Sequence, residues 1–356
     1  MIAPLAKLMD WSSIQAAVLM MPGRDLDSKL EEAVQFLNGP DFIPAESQPA
    51  RVLPGRGNMR PDPPIGFPER RGGSYPDGRA TRTGQYAPYL DFTFPTPRPC
   101  EFAENNVVHG RLYRCAGGWQ ERPVIILLPG WNDSASYKLR FPLIARCGNR
   151  AGFNVATLVP PYHFQRCPRQ RREFDRGDCL QLAKAAAQGI AEIRALTGWL
   201  LEEGCPAVAL WGYSAGAWYA GMTACHDARL ASVVLACHTG RTSASLERWA
   251  VRPSIRANFP RIRGVCEGLN TTLMNFADSK PIIPTENILL IEGIHDLICS
   301  RDEVEHLWQA WGKPAIWRLP HGHCAICCGF VPGLSKRILD WLSPRLNHPA
   351  MTREKS

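Results

Sequence analysis

The chain has 356 residues, 45% of them hydrophobic and 21% charged, with a formal net charge of +8. That is enough to bury a large core, in one large domain or two smaller ones. The basic residues are dispersed and no RNA- or DNA-binding signature accompanies them, so nucleic acid is excluded as an expected partner.

The first expected element is a helix over 28–38, opened by a Ser28/Glu31 capping box and stopped by Asn38-Gly39-Pro40. From about 40 to 100 the chain is rich in Pro, Gly and Arg with little periodicity, which reads as an arm wrapped over the surface or partly disordered. Tyr89 to Phe94 and Asn106 to Arg114 have strand character and suggest a hairpin. Val124 to Leu128 is a continuous β-rich run, as expected of a strand buried on both faces. Pro142 to Arg150 suits a short helix with proline at its start, and Phe153 to Val159 another strand. Leu182, Ala186, Ile190, Ile193, Ala195 and Leu200 form the apolar stripe of a long helix ending near Gly204. Strands follow at 208–211, 231–236 and 288–291. A helix capped by Ser300 and Glu303 then carries Val304, Leu307, Trp308 and Trp311. The last strand is 315–319, and Leu334, Ile338, Trp341 and Leu342 line a closing helix. Alternating strands and helices imply a mostly parallel central sheet with helices on both faces. Residues 240–284 interrupt the alternation and read as a cap-like insertion.

Gly212-Tyr213-Ser214-Ala215-Gly216 joins the strand Val208 to Trp211 to a helix, with Ser214 at the tip of the turn. The flanking glycines let strand and helix approach without a Cβ clash. A serine hydroxyl needs a base to take its proton and an acid to orient that base. Asp296 follows a later strand, and His323 lies in a loop before the closing helix. In a parallel sheet all these strand ends fall on one edge, where Ser214, Asp296 and His323 can converge. Glu292 and His321 are the rivals for the acid and the base. An oxyanion would be held by the backbone N–H groups of Trp131, after the strand ending Leu127-Leu128, and of Ala215.

These features, Pro129-Gly130-Trp131, the Gly212–Gly216 elbow, Asp296 and Gly322-His323, resemble the α/β-hydrolase superfamily over roughly residues 105–345, in its order of Ser, Asp and His. Pro160-Pro161-Tyr162-His163 resembles a segment in a little-characterised branch of serine hydrolases. The usual His-Gly before the oxyanion donor is here Pro129-Gly130. The resemblance implies an α/β-hydrolase fold with residues 1–100 as N-terminal helix and arm, 101–345 as catalytic domain and 346–356 as a tail. It also implies a serine esterase acting on a small-molecule or lipid acyl ester, with His163 and Tyr213 at the substrate. An acyltransferase with the same triad, and a non-catalytic binding protein keeping the fold, are the alternatives.

No cofactor and no metal are expected. The cluster His321-x-His323-Cys324-x-x-Cys327-Cys328 has zinc-ligand types, but it is compact, lacks an evident second pair and enters a helix. Buried reduced cysteines are the default there. The count of 13 cysteines, scattered and without an evident secretory signal, suits reduced thiols and a cytoplasmic setting. Ile14 to Met21 is too short to span a bilayer, and the uncharged stretch Cys205 to Cys225 divides at Pro206 and its glycines into a strand and a helix, so no transmembrane segment is expected. Arg166, Arg169, Arg171, Arg172 and Arg176 form a basic segment that could attract an anionic substrate, or simply a solvated loop.

Overall fold

A computed structural model describes residues 29–43, 50, 52–54, 89–168, 178–238, 240–241, 263–264 and 267–347, together with residues 4, 7, 9 and 10. Ser28, most of the 40–88 arm, Arg169 to Arg176, much of the 240–284 insertion and the tail beyond 347 lie outside the described residues.

The strands are β1 (Leu53–Pro54), β2 (Tyr89–Pro95), β3 (Val107–Tyr113), β4 (Val124–Leu128), β5 (Asn154–Leu158), β6 (Val208–Tyr213), β7 (Leu230–Ala236), β8 (Ile288–Gly293) and β9 (Ala315–Leu319). They form one sheet in the order β1-β2-β3-β5-β4-β6-β7-β8-β9. The first three are antiparallel to their neighbours, and from β5 to β9 every pairing is parallel. The parallel part is apolar because both its faces are covered. In β4, Val124, Ile126 and Leu128 join one core cluster while Ile125 and Leu127 join the other, the two-residue alternation of a pleated strand.

The helices are α1 (Leu30–Asn38), α2 (Phe141–Arg150), α3 (Cys179–Glu202), α4 (Ala215–Ala224), α5 (Arg301–Ala310), α6 (His323–Cys327) and α7 (Leu334–Asn347). Helices α1, α3, α4 and α5 pack in the first cluster, and α2, α6 and α7 in the second. The cap of α5 is as expected, with Ser300 accepting from the Glu303 N–H. Helix α1 differs: its N-cap is Lys29 in a left-handed conformation with no side-chain cap. Lys29 reaches instead to Asp178 at 2.7 Å, and Asp178 caps α3 by accepting from the Gln181 N–H. Among the described residues, no helix is long and apolar enough to cross a membrane.

One expectation is overturned. Arg166 is not a solvated or substrate-facing cation. It is fully buried, and its two terminal nitrogens donate to the two carboxylate oxygens of Glu192 at 2.7 and 2.6 Å. Burial of a guanidinium demands such a fork, since its charge has no water to face.

Candidate active site

The elbow between β6 and α4 holds Ser214 at φ 51°, ψ −117°. A non-glycine residue keeps a positive φ of this kind only where its surroundings impose it. Here the Ser214 N–H donates to the Ala236 carbonyl at 2.8 Å, and the Ser214 carbonyl accepts from Ala217 and Trp218. A Cβ on Gly212 would lie 2.2 Å from the Gly216 carbonyl oxygen, and one on Gly216 would lie 2.2 Å from that of Leu128. The two glycines therefore bring α4 onto β6 and against the end of β4. Gly212→Ala is expected to cost about 3 kcal/mol, because backbone must shift to admit the methyl. Denaturant unfolding measures it, and an unchanged midpoint would contradict the packing.

The loop after β4 lies beside the elbow: a Cβ on Gly130 would sit 3.6 Å from that of Ser214. Among the described loop and cap hydrogen bonds, neither the Trp131 nor the Ala215 N–H meets an acceptor. For Ala215 this follows from its place as first residue of α4, where helix N–H groups are left over and carry partial positive charge. The Trp131 side chain is 61% exposed and meets the ring of His163 edge-on at 5.0 Å. His163 is itself buried, and its Nδ1 donates to the Pro161 carbonyl at 2.8 Å. Tyr213 is 2% exposed and packs in the core below the edge, with the Arg140 guanidinium 3.9 Å from its ring centre.

Asp296 and His323 are brought together. The His323 Nδ1 donates to Asp296 Oδ2 at 2.9 Å, and both groups are buried. Asp296 Oδ1 accepts the Ile298 and Cys299 N–H groups at 2.6 and 2.7 Å, which fixes the carboxylate's orientation. Burial opposes a charge on the His323 ring, but Cys327 and Asp296 beside it outweigh that and hold its pKa well above the ordinary histidine range. Glu292, the rival acid, is taken by Arg318 at 2.8 Å. The chain of side-chain bonds at this edge runs from Asp296 to His323 and stops short of Ser214 Oγ among the described residues.

The family model described as alpha/beta hydrolase domain containing 18 matches residues 81–247. That span holds β4, the elbow and Ser214, but not Asp296 or His323. An acetyl xylan esterase from Paenibacillus sp. R4 shares the fold with a TM-score of 0.53 at 16% identity, over 90% of this chain and 95% of that one. The Pyrococcus furiosus esterase Pf2001 does so with a TM-score of 0.51 at 16% identity, over 72% of this chain and 91% of that one. The fold is that of the α/β hydrolases. The uncharacterized protein Rv2627c of Mycobacterium tuberculosis is 28% identical over 178 residues, 48% of this chain and 42% of that protein. The chain thus spans less than half the length of the curated relatives it matches.

The edge of this sheet has two features that the sequence did not announce. The first is that His323 is not in a loop leading to the closing helix but opens a five-residue helix of its own, α6. Gly322, the residue before it, supplies no side chain to cap it. The cap comes from Asp10, which is 0% exposed. Its Oδ2 accepts the His323 N–H at 2.8 Å and the Leu297 N–H at 3.1 Å, and its Oδ1 accepts the Cys324 N–H at 2.8 Å. One carboxylate thereby ties the loop carrying Asp296 to the helix carrying His323. Asp10 is separated from His323 by 313 positions, and no local pattern marks it.

The second feature is a group of thiols around the imidazole. Cys237 follows β7, and Cys299 Sγ donates to its carbonyl at 3.1 Å and lies 3.9 Å from His323 Nδ1. Cys327 is one helical turn beyond His323. A hydrogen bond from Cys237, working against the cost of burial and helped by His323, brings the Cys327 thiol down to about 6. That same bond, with burial, pushes Cys237 well up. Cys237, Cys299 and Cys327 are all free thiols.

Proposed function

We propose that this chain is a serine hydrolase that cleaves a carboxylic ester or related acyl bond through Ser214, His323 and Asp296. The observation that carries the reading is the strained Ser214 at the elbow, sharing one sheet edge with the buried Asp296–His323 pair. Ser214 Oγ attacks the acyl carbon while its proton passes to His323 Nε2, and the carbonyl π electrons move onto oxygen. The N–H groups of Trp131 and Ala215 stabilise that oxyanion, each worth about 3 kcal/mol. Collapse of the adduct expels the alkoxide, which takes the proton from His323. Water, deprotonated by the same imidazole, then cleaves the acyl-enzyme. Asp296 holds the tautomer with Nδ1 protonated and favours the imidazolium that forms in each half-reaction. The gap at Ser214 Oγ closes on substrate binding, as such bonds commonly tighten only in the reactive complex.

The substrate class is a small-molecule or lipid acyl ester. The 13 scattered cysteines of the sequence support a reducing, cytoplasmic setting. The direct test is labelling by a fluorophosphonate probe, which reacts only with an activated serine, followed by a chain-length series of nitrophenyl esters. Labelling at Ser214 is expected, and its absence from folded protein would favour a binding protein that merely keeps the fold. Preference for long acyl chains would point to lipid, and preference for acetyl to small esters.

In this reading Asp10 is a positioning residue, since it touches neither substrate nor the reacting atoms. Asp10→Ala orphans three amides and loosens His323 relative to Asp296. The expected loss is about 10–100-fold in kcat with KM little changed, the scale of outer-layer supports and of ångström misplacements. Asp10→Asn keeps one acceptor oxygen and should restore part of the rate. Equal loss in both variants, matched by lost thermal stability, would assign Asp10 to folding alone.

A further inference from the structure

The zinc-like cluster in the sequence lacked a partner for its Cys and His residues, and the fold supplies one. Cys237, at the end of β7, comes against α6 although it lies 86 positions before His323. One ligand atom each from Cys237, His323 and Cys327 lies within 4.8 Å of the others, and all three residues are buried. Zinc held by thiolates at about 2.3 Å needs its sulfurs about 3.8 Å apart, so the two thiols close on a metal with a shift of about 1 Å or less. His323 and Cys327 are separated by four positions on one helix, a spacing that puts two side chains on the same face. Asp296 already accepts the proton on Nδ1, so Nε2 is the nitrogen that gives a lone pair once its own proton has left to solvent. A carboxylate behind a metal-binding imidazole is the arrangement that fixes its orientation and raises its basicity. Two thiolates also neutralise a divalent cation, so the buried site carries no net charge from ligands and metal.

We propose that Cys237, Cys327 and His323 form a binding site for a soft divalent metal ion, zinc or cadmium, and that filling it silences the active site. The lone pair that takes the metal is the one that takes the Ser214 proton, so metal and catalysis exclude each other. The silencing rests on the hydrolase reading, whereas the binding does not. Two thiolates and one imidazole leave a fourth position for water, and any thiol proton still present leaves to solvent on binding.

The test titrates cadmium into chelator-stripped full-length protein and follows the ultraviolet thiolate-to-cadmium absorption. The expected result is an absorption that saturates near one equivalent in wild type and is lost in Cys237→Ser and in Cys327→Ser, each checked for folding by circular dichroism. An unchanged absorption in either folded variant assigns the signal to other thiols and overturns the proposal. If one variant does not fold, the other decides. In parallel, zinc should lower ester hydrolysis by wild type more than tenfold, with recovery on adding chelator, and leave Cys237→Ser largely unaffected. Binding without loss of activity would overturn the silencing. Metal-free protein that binds cadmium as expected but hydrolyses no ester and takes up no fluorophosphonate would refute the hydrolase reading and leave the metal site standing.

Discussion

Replacing Ser214 with alanine is expected to lower kcat for ester hydrolysis by a factor on the order of 10⁶, the cost of removing the nucleophile from a comparable triad. The residue that remains leaves the Trp131 and Ala215 N–H groups in place, so a rate still above that in water should persist. Fluorophosphonate labelling should vanish with the hydroxyl. The fold should not suffer. Alanine at φ 51° bears no more strain than serine, and the hydrogen bonds that hold the elbow are made by backbone atoms of residue 214. Thermal stability should therefore match or slightly exceed wild type, as is common when a functional side chain is removed. A folded variant retaining more than a few per cent of activity would move the nucleophile elsewhere. Cys327 would then be the first residue to examine, because it lies against His323 and its thiol is brought to about 6.

The sheet was legible because buried parallel strands need apolar residues on both faces. Val124 to Leu128 is bounded in the structure as it is in the sequence, and β6 runs only two residues past its apolar run, to the elbow. Ser300 and Glu303 announced α5 because a cap is made by neighbours in sequence. Helix α6 was hidden for the opposite reason. Five residues are too few to show a 3.6-residue period, and its cap is carried in by Asp10 from the other end of the chain. The same separation hid Cys237, whose relation to α6 exists only once β7, β8 and β9 are side by side. Ser214, Asp296 and His323 could be read as candidates because each follows a strand on the same edge. The distance from Ser214 Oγ to the imidazole is a matter of side-chain placement, which spacing does not encode.

Arg166 was misread because a run of arginines describes charge and not burial. Its partner, Glu192, sits in the stretch of α3 between Ile190 and Ile193, on a helix buried along most of its length. Alone, an acidic residue there is a cost. With a guanidinium arriving from the loop after β5 it becomes the anchor of that loop.

Glu192→Gln is expected to destabilise the protein by about 3–5 kcal/mol, the penalty for leaving one partner of a buried ion pair uncompensated. Glu192 Oε1 also accepts from Thr96 Oγ1 at 2.7 Å and from Gln188 Nε2 at 3.0 Å, while Arg166 donates further to the carbonyls of Val159 and Asn105. These bonds tie α3 to the connection between β2 and β3 and to residues 159–166. Asn105 extends the tie, accepting the Tyr162 N–H at 2.9 Å. His163 is the next residue and packs against Trp131, so the network underlies the loop proposed to stabilise the oxyanion. Removing both charges should do less harm than removing one. Arg166→Met with Glu192→Leu replaces a desolvated pair by apolar side chains of similar bulk, and such exchanges are often neutral or stabilising by about 1–4 kcal/mol. Thr96 and Gln188 lose an acceptor in that variant, so a residual loss of about 1–2 kcal/mol is expected here. Denaturant unfolding of Arg166→Met, Glu192→Leu and the double completes the cycle. A double variant as unstable as the sum of the singles would mean that Arg166 and Glu192 act independently, and the buried fork would not be what holds the loop.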